Sequence, residues 1–416
     1  MRDIEVEALG TDELADLARR QTRTWTRAAV GLLPEDTDRV DGHCHLGVDT
    51  DGSRIDEAAL LAQLDRAGMR HAIVVPLHHE AGYAEENPRV RAVAAASGGR
   101  FHALHRCDPR NSDPAADAEQ GLAEGAIGLK WHPRGERFGV ADDVAQTTAA
   151  VAGAAGVPIL IHAGRGMERL GEGVVELARQ HPRATFILAH AAVSDLSWIV
   201  DATTDVPNIV FDTSWWRPTD IAVLLTCAPP SRVVHGSDPP YGSAELGVQI
   251  TARLARGCGW DDAQVAALMG GNSRRIFGIG DEPALAGSLD MGGARHMPVE
   301  FPAFRRASEL LASALQVQFG GGDPEEVFDL ACSALDLPSA HERQRDAALL
   351  QGCIRVATAL LDRTLVGLPG DLPPFAVMGT PTGRRAIELL MGALVHLATP
   401  ELPIIGIERT GWSEDS

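Results

Sequence analysis

The chain has 416 residues, 45% of them apolar and 23% charged, and its formal net charge is −20 at pH 7. This is ordinary globular composition, which excludes a fibrous protein and a chain that is disordered over most of its length. A strong negative charge repels phosphate backbones and anionic lipids, so we expect no nucleic acid and no membrane as a partner. The length suggests two or three domains, although a single α/β barrel can take about 250 residues.

Six cysteines are scattered along the chain without paired spacing, which is typical of reduced thiols rather than of a disulfide framework. The first thirty residues carry charges throughout, so we expect no signal peptide. The longest uncharged stretch, residues 144–164, is interrupted by polar residues and a proline, and predicts a helix and a strand rather than a membrane span. These features predict a cytoplasmic location.

Residues 1–38 predict an N-terminal helical extension. One amphipathic helix is expected to begin near Thr11, the expected N-cap, with Asp12 and Glu13 in its first turn, and to end before Pro34.

Residues 39–280 repeat a pattern of short apolar, β-branched runs separated by helix-like stretches. Eight such runs predict βα units around a parallel sheet, and therefore a (β/α)₈ TIM barrel. A doubly wound open sheet is the rival fold, but its glycine-rich phosphate turn is absent from the sequence. The runs are 39–47, 71–78, 101–107, 126–131, 158–164, 185–191, 208–214 and 232–238.

The pattern changes after Gly278. Residues 281–300 are rich in Gly, Pro and Ala and predict a linker. Residues 301–416 show helical periodicity and predict a mainly helical domain of unknown role, with a strand-like pattern only at 402–407. Its expected helices are 304–319, 325–335, 343–366 and 382–398.

Polar side chains close several of the barrel strands. Asp41, His43 and His45 share one face of the first strand, because alternate residues of a strand point the same way. Strands five, six and eight end in His162, His190 and Asp238. Inner barrel positions are normally apolar unless a site lies there. Nitrogen and carboxylate ligands without thiolates indicate Zn²⁺, with Mn²⁺ and Fe²⁺ as alternatives.

The fourth strand carries Lys130 and His132, which share a parity. Lys130 is the only lysine in the chain, since every other basic side chain besides histidine is arginine. An interior lysine must be paired, modified or functional. It could carry a carbamate that bridges two metal ions, or contact an anionic group of the substrate.

Together these motifs resemble the amidohydrolase superfamily, and within it the amidohydrolase-2 branch. The similar segments are Asp-x-His-x-His at 41–45, Gly-x-Lys-x-His-Pro at 128–133, the two strand-end histidines, Ser-Asp-x-Pro at 237–240 and Asn-x-x-Arg-x-Phe-Gly at 272–278. The resemblance covers about residues 38–280 and leaves 301–416 unmatched. The sequence departs from the family pattern at Pro239 and at Trp215-Trp216-Arg217.

The resemblance implies site residues position by position. His43, His45, His162 and Asp238 would bind one metal ion, most simply Zn²⁺, and Asp238 would also transfer the proton of the nucleophilic water. His190 would be a second catalytic residue. With a carboxylated Lys130, a second ion could lie on Lys130, His162 and His190, but one ion is favoured. Asp41 is expected to orient a ligand histidine.

Weaker candidates are expected to contact the substrate. They are His132, His78, Trp215 and Arg217; the two tryptophans and Arg217 could instead pack against the helical domain. Of His102 and His105, which have opposite parity, only one could face inward.

The resulting prediction is a metal-dependent hydrolase that cleaves an amide, ester or lactone bond of a small molecule. A metal-dependent nonoxidative decarboxylase is the alternative, since the branch is known for both reactions, and Lys130 favours hydrolysis. A catalytically inactive barrel that acts as a binding scaffold is the alternative of another class. The expected partner is a small-molecule substrate, and a homo-oligomer is left open.

Overall fold

Strands and helices alternate as the sequence predicts. The computed structural model describes residues 6–35, 37–167, 169–280, 295–366 and 374–407. Apart from the short β2, which pairs antiparallel with β1, the paired strands are parallel. The strands are β1 Val40–Val48, β2 Arg54–Ile55, β3 His71–Pro76, β4 Phe101–Ala103, β5 His105–Arg106, β6 Leu129–Trp131, β7 Pro158–Ile161, β8 Thr185–Leu188, β9 Ile209–Asp212 and β10 Val233–Val234.

Backbone hydrogen bonds join these strands into a closed barrel. The short β4 and β5 form one strand, because the Leu104 N–H between them donates to the Val74 carbonyl at 3.0 Å. On the other side, Gly42 N–H donates to the His235 carbonyl and Asp238 N–H to the His43 carbonyl, both at 2.8 Å. The barrel therefore closes between β1 and the end of β10, and the predicted (β/α)₈ fold is confirmed.

Gly42 allows this closure. A Cβ atom at this position would lie 2.8 Å from the His235 carbonyl oxygen, closer than side chains approach a backbone. Only glycine therefore lets the first and last strands approach closely enough to pair.

Nearly every strand contributes at least one apolar side chain to the interior of the barrel. This buried set contains Val40, Ile73, Val75, Leu104, Leu160, Ile187, Val210 and Val234. Phe277 and Ile279 join the same cluster. The apolar filling leaves the carboxyl ends of the strands as the place where polar side chains meet.

A helix precedes the barrel and others surround it. The first helix, α1 Thr11–Val30, begins one residue earlier than predicted, because Gly10 and not Thr11 is the N-cap. Gly10 donates its N–H to the Glu13 carboxylate at 2.8 Å. The helices that follow are α2 Glu57–Ala67, α3 Glu86–Ala96, α4 Pro114–Ala123, α5 Pro133–Glu136, α6 Asp143–Ala155, α7 Leu170–Gln180, α8 Ile199–Ala202, α9 Pro218–Cys227, α10 Ala244–Gly257, α11 Asp262–Ala266 and α12 Asn272–Phe277.

The C-terminal region is helical, as predicted. Its four helices are α13 Pro302–Phe319, α14 Glu325–Ser333, α15 Gln344–Val366 and α16 Pro381–Ala398. Helix α16 packs against α1, α10, α13 and α15, so both ends of the chain cover the same side of the barrel. The apolar side chains of barrel and C-terminal helices form one continuous buried cluster. The proposed division at residues 38, 280 and 300 stays a prediction, and most of the predicted linker lies outside the described residues.

The expected strand at 402–407 is wrong. This segment has no partner strand among the described residues and instead crosses α1. Gln21 and Trp25 donate to the Ile405 carbonyl at 2.8 and 2.9 Å, and Ile407 N–H donates to Gln21 at 3.1 Å. Side chains of a helix thus take the hydrogen bonds that a neighbouring strand would make.

None of the described helices combines the length and the apolar character that crossing a membrane requires.

Candidate metal centre

Three predicted metal ligands meet at the carboxyl end of the barrel. His43 and His45 lie on β1, and Asp238 follows β10 across the closing seam. Their ligand atoms all lie within 4.8 Å of one another. The Asp238 carboxylate lies 3.0 Å from His45 Nε2 and 3.4 Å from His43 Nε2. We call these three residues the triad.

Asp212, at the end of β9, holds His43 in place. Its carboxylate lies 2.8 Å from His43 Nδ1, and both side chains are buried. A carboxylate only accepts, so Nδ1 carries the hydrogen and Nε2 presents its lone pair toward the triad. Burial acts to raise the pKa of Asp212, but the hydrogen bonds that its carboxylate accepts, first of all from His43, outweigh it and leave that pKa below its ordinary value.

The expected role of Asp41 is wrong. Asp41 accepts from the backbone N–H of His43 at 3.2 Å and of Ser237 at 3.0 Å, and from the Ser237 hydroxyl. Asp41 therefore ties β1 to the segment after β10 that carries Asp238, while Asp212 orients the His43 imidazole. Asp212 also closes an apolar strand, so the rule that found the other strand ends could have found it.

His162 and His190 form a hydrogen-bonded chain beside the triad. His190 Nδ1 lies 2.8 Å from the Ser214 carbonyl oxygen, and His190 Nε2 lies 2.9 Å from His162 Nδ1. The carbonyl only accepts, so with both rings neutral His190 accepts from His162 Nδ1–H. His162 Nε2 is then left as a bare lone pair, and it is buried without a hydrogen-bond partner among the described residues. His162 does not belong to the triad, and its role as a fourth ligand stays a prediction.

Lys130 on β6 and His132 directly after it also lie at this end of the barrel. Lys130 is fully buried, and its amine lies 3.2 Å from His43 Nε2. His132 stacks on His162 with ring centroids 4.0 Å apart, and its Nδ1 accepts from Gly135 N–H at 2.9 Å. In its neutral form His132 therefore carries its hydrogen on Nε2 and can donate there.

Burial keeps the ligand histidines neutral. It lowers the pKa of His43 to about 4, with the positive Lys130 as the next cause. Burial likewise lowers the pKa of His45, His132 and His162 well below their ordinary values. Burial also lowers the pKa of Lys130, to about 8. Neutral imidazole is the form that binds a metal ion.

The triad lies in a cavity of about 800 Å³. The predicted residues His78, Lys130, His132, His162, His190 and Trp215 line it. Arg217 lies outside this lining and packs against the Trp216 ring, with its guanidinium 5.9 Å from the ring centre. His105 points away and pairs with Asp117 at 2.9 Å, while His102 contacts His71 at 3.2 Å.

Sequence reasoning missed a buried ion pair that supports this cavity. Arg106 lines the cavity and is bound through Nε and Nη2 to the Glu136 carboxylate at 2.8 and 2.6 Å. Glu136 also accepts from Tyr83 at 2.6 Å. Arg106 ends its strand as the other site residues do, but nothing in the sequence connects it with Glu136.

The sequence model of the amidohydrolase family, Amidohydro_2, matches residues 40–279, which is more than half of the chain. The chain belongs to the amidohydrolase family. The matched segment contains the triad, Asp212, Lys130 and His162, and it ends before the C-terminal helices. No curated protein matches this amidohydrolase.

Several solved structures align with this chain at low sequence identity. An uncharacterised TIM-barrel protein from Bordetella bronchiseptica aligns with a TM-score of 0.50 and 13% identity, over 58% of this chain and 98% of that one. An amidohydrolase from Burkholderia multivorans with bound zinc gives a TM-score of 0.48 and 17% identity, over 58% and 99%. A 5-carboxyvanillate decarboxylase from Sphingomonas paucimobilis gives 0.47 and 15%, over 59% and 100%.

The donor set of this amidohydrolase fits a divalent metal ion. Two neutral imidazoles and a carboxylate converge, and Asp212 aims one of those imidazoles at the shared space. Such nitrogen and oxygen ligands, with a carboxylate behind a histidine, are typical of zinc. His162 Nε2, which has no hydrogen-bond partner in the described part of the chain, is a further lone pair in the same cavity.

Proposed function

We propose that this amidohydrolase is a metal-dependent hydrolase that cleaves an amide, ester or lactone bond of a small molecule. The observation that carries this proposal is the triad of His43, His45 and Asp238 in an 800 Å³ cavity. A cavity of about this size suits a small organic substrate rather than a macromolecule.

The triad would hold the metal ion, with His162 as the additional ligand. A bound divalent ion, Zn²⁺ before Mn²⁺ or Fe²⁺, would lower the pKa of water toward neutrality and polarise the scissile carbonyl. Asp212 keeps His43 Nε2 unprotonated for this purpose.

The remaining chemistry belongs to side chains of this chain. Asp238 presents a carboxylate at the site, where it can accept a proton from the attacking water and return it to the leaving group. His132 Nε2–H and the Lys130 amine are donors that face the cavity and can bind the carbonyl oxygen as negative charge develops on it. His190 is bonded on both ring nitrogens, which favours a role in orienting His162.

The hydrogen bonds of the histidines favour one ion. A second ion on Lys130, His162 and His190 would need nitrogen lone pairs from both histidines directed at it. His162 Nδ1 and His190 Nε2 are instead bonded to each other at 2.9 Å. We therefore propose a single metal ion, with Lys130 contacting the substrate.

Metal content and hydrolysis should be lost together. Purified protein is expected to hold one equivalent of metal and to hydrolyse members of a panel of p-nitrophenyl esters and small lactones. His43→Ala should lose both metal and activity, because it removes a ligand. The matched control is His71→Ala, since His71 begins β3 at the opposite end of the barrel and bonds the Gly99 carbonyl.

Other outcomes would replace the proposal. Release of carbon dioxide from aromatic carboxylic acids, without turnover of the esters or lactones, would make the protein a decarboxylase. Absence of metal from the purified protein, with chelators leaving its function intact, would favour the binding scaffold.

A further inference from the structure

The C-terminal helices form part of the cavity that contains the triad. Phe319 at the end of α13, Met378 before α16 and Met391 within α16 all line it. These three residues lie beyond residue 279, where the match to the amidohydrolase family ends. They are therefore side chains that the family segment alone does not supply.

These residues continue an apolar surface that begins on the barrel. Leu246 and Ile250 of α10 line the cavity beside them, and so does Trp216. The rings of Trp216 and Phe319 meet edge to face with centroids 6.1 Å apart. We call these six residues, Leu246, Ile250, Phe319, Met378, Met391 and Trp216, the apolar wall.

The apolar wall is held in place by close packing and by hydrogen bonds. Helix α16 approaches α1 closely at Gly392. A side chain at this position would not fit, because its Cβ atom would lie 2.7 Å from the Trp25 ring. Arg384 of α16 donates to the Pro240 carbonyl at 2.8 Å, two residues after Asp238. Arg253 of α10 donates to Thr399 Oγ1 at 2.9 Å and so fixes the end of α16. The wall is thus a built part of the pocket.

The lining of the cavity combines two kinds of chemistry. Lys130, His132 and the triad supply polar groups, while the apolar wall supplies methionine, aromatic and branched side chains. Methionine adapts to ligand shape and packs well against rings, and apolar surface binds apolar groups in proportion to the area buried.

We propose that the apolar wall selects the substrate, and that the substrate is a carbonyl compound carrying an apolar acyl or aryl group. This inference rests on the proposed hydrolytic function, which assigns the carbonyl as the group that reacts. The carbonyl lies at the triad, and the apolar group packs between Phe319, Met378 and Met391. The C-terminal helices are therefore determinants of specificity.

Esters that differ only in acyl length test this proposal. Wild-type protein should hydrolyse p-nitrophenyl octanoate with a kcat/KM at least about tenfold above that for p-nitrophenyl acetate. Phe319→Ala should reduce the ratio of the two values by about fivefold or more, because it removes the largest side chain that the C-terminal helices contribute. Phe319→Leu, which keeps apolar bulk, should reduce it less.

Phe301→Ala is the matched control. Phe301 is also half-buried, next to the other end of α13, but it contacts Phe304 and His341 and does not belong to the cavity lining. It should leave the octanoate-to-acetate ratio unchanged. An equal ratio in wild type and Phe319→Ala would overturn the inference while leaving hydrolysis intact.

Binding without turnover separates the inference from the proposed function. Calorimetric titration of the wild-type protein should show tighter binding of sodium octanoate than of sodium acetate. In Phe319→Ala the affinity for octanoate should be at least about fivefold weaker than in wild type. That result with no ester hydrolysis would support the apolar wall and reject the hydrolase. Equal affinity for the two carboxylates would reject the apolar wall.

Discussion

At the level of single residues, the buried carboxylate of Asp212 connects several parts of the site by hydrogen bonds. Its carboxylate accepts from His43 Nδ1 at 2.8 Å, from His190 N–H at 2.8 Å and from Ser214 N–H at 2.9 Å. Three elements of the site therefore depend on one buried charge. Replacing Asp212 by asparagine, which has nearly the same shape but no charge, tests what these hydrogen bonds contribute.

Asp212→Asn should weaken metal binding by about 10- to 100-fold. An amide nitrogen facing His43 Nδ1 favours the tautomer with hydrogen on Nε2, which cannot bind a metal ion. Equilibrium dialysis against zinc measures the change. The control is Asp220→Asn, because Asp220 accepts a hydrogen bond from Trp215 at 2.7 Å and lies outside the triad. Equal zinc affinity in wild type and Asp212→Asn would contradict this role.

Lys130→Arg separates a substrate contact from a metal bridge. Arginine keeps the positive charge but cannot form a carbamate, and its planar head is larger. If Lys130 contacts the substrate, the variant should keep one equivalent of metal and much of its activity, with a raised KM. Lys130→Met, which lacks the charge, should keep the metal and lose more activity. Two equivalents of metal in wild type, falling to one in Lys130→Arg, would instead show a bridged pair of ions.

At the level of elements, α16 carries a half-buried carboxyl group, that of Glu388, near Glu245 of α10. Burial raises the pKa of Glu388 to about 7, and the nearby charge of Glu245 adds to this. Burial also raises the pKa of Glu245, although Arg66 opposes that change. The interface between the two helices is therefore more stable when Glu388 is protonated.

The contribution of Glu388 to the free energy of unfolding should decrease as the pH rises. The folded pKa lies above the ordinary value of 4.5, so the contribution is complete below pH 4.5 and is lost as the pH passes about 7. Glu388→Gln should raise the free energy of unfolding on the order of 1 to 3 kcal/mol at pH 8, with little change at pH 5. Urea denaturation at both pH values measures this.

Glu326→Gln serves as the control for this experiment. Glu326 is exposed on α14, so its substitution should change stability little at either pH. An equal effect of Glu388→Gln at pH 5 and pH 8 would contradict the assignment of a raised pKa.

At the level of the whole molecule, the barrel and the C-terminal helices share their buried surface. The α16 side chains Ile387, Leu390 and Leu394 are fully buried, and the helix packs against α1 and α10. Ending the chain at Gly280 should therefore expose apolar surface, and the product should aggregate or lose solubility. Size-exclusion chromatography and soluble yield measure this.

Ending the chain at Ile407 is the matched truncation, because it keeps every C-terminal helix that the structure describes. This form should remain soluble. A soluble and fully active protein ending at Gly280 would show that the C-terminal helices are dispensable both for folding and for the pocket.

Local pattern was enough to predict much of this protein. Strand runs alternate with helices at barrel spacing, and the parity of a strand places His43 and His45 on one face without any tertiary information. The strand-end position of Asp238 then predicts its meeting with them, since the ends of parallel strands meet at one edge. The helical periodicity of residues 301–416 likewise predicted four helices to within a few residues.

Only the tertiary structure decided which side chains pair across the molecule. The bond between His43 and Asp212 spans 169 positions, and Asp41 has the same charge and lies closer in sequence. Strand parity cannot choose between them, because the choice depends on how the barrel closes. The same holds for Phe319 and Met391: helical periodicity shows that they belong to helices, but only the packing of α13 and α16 against α10 brings them to the cavity.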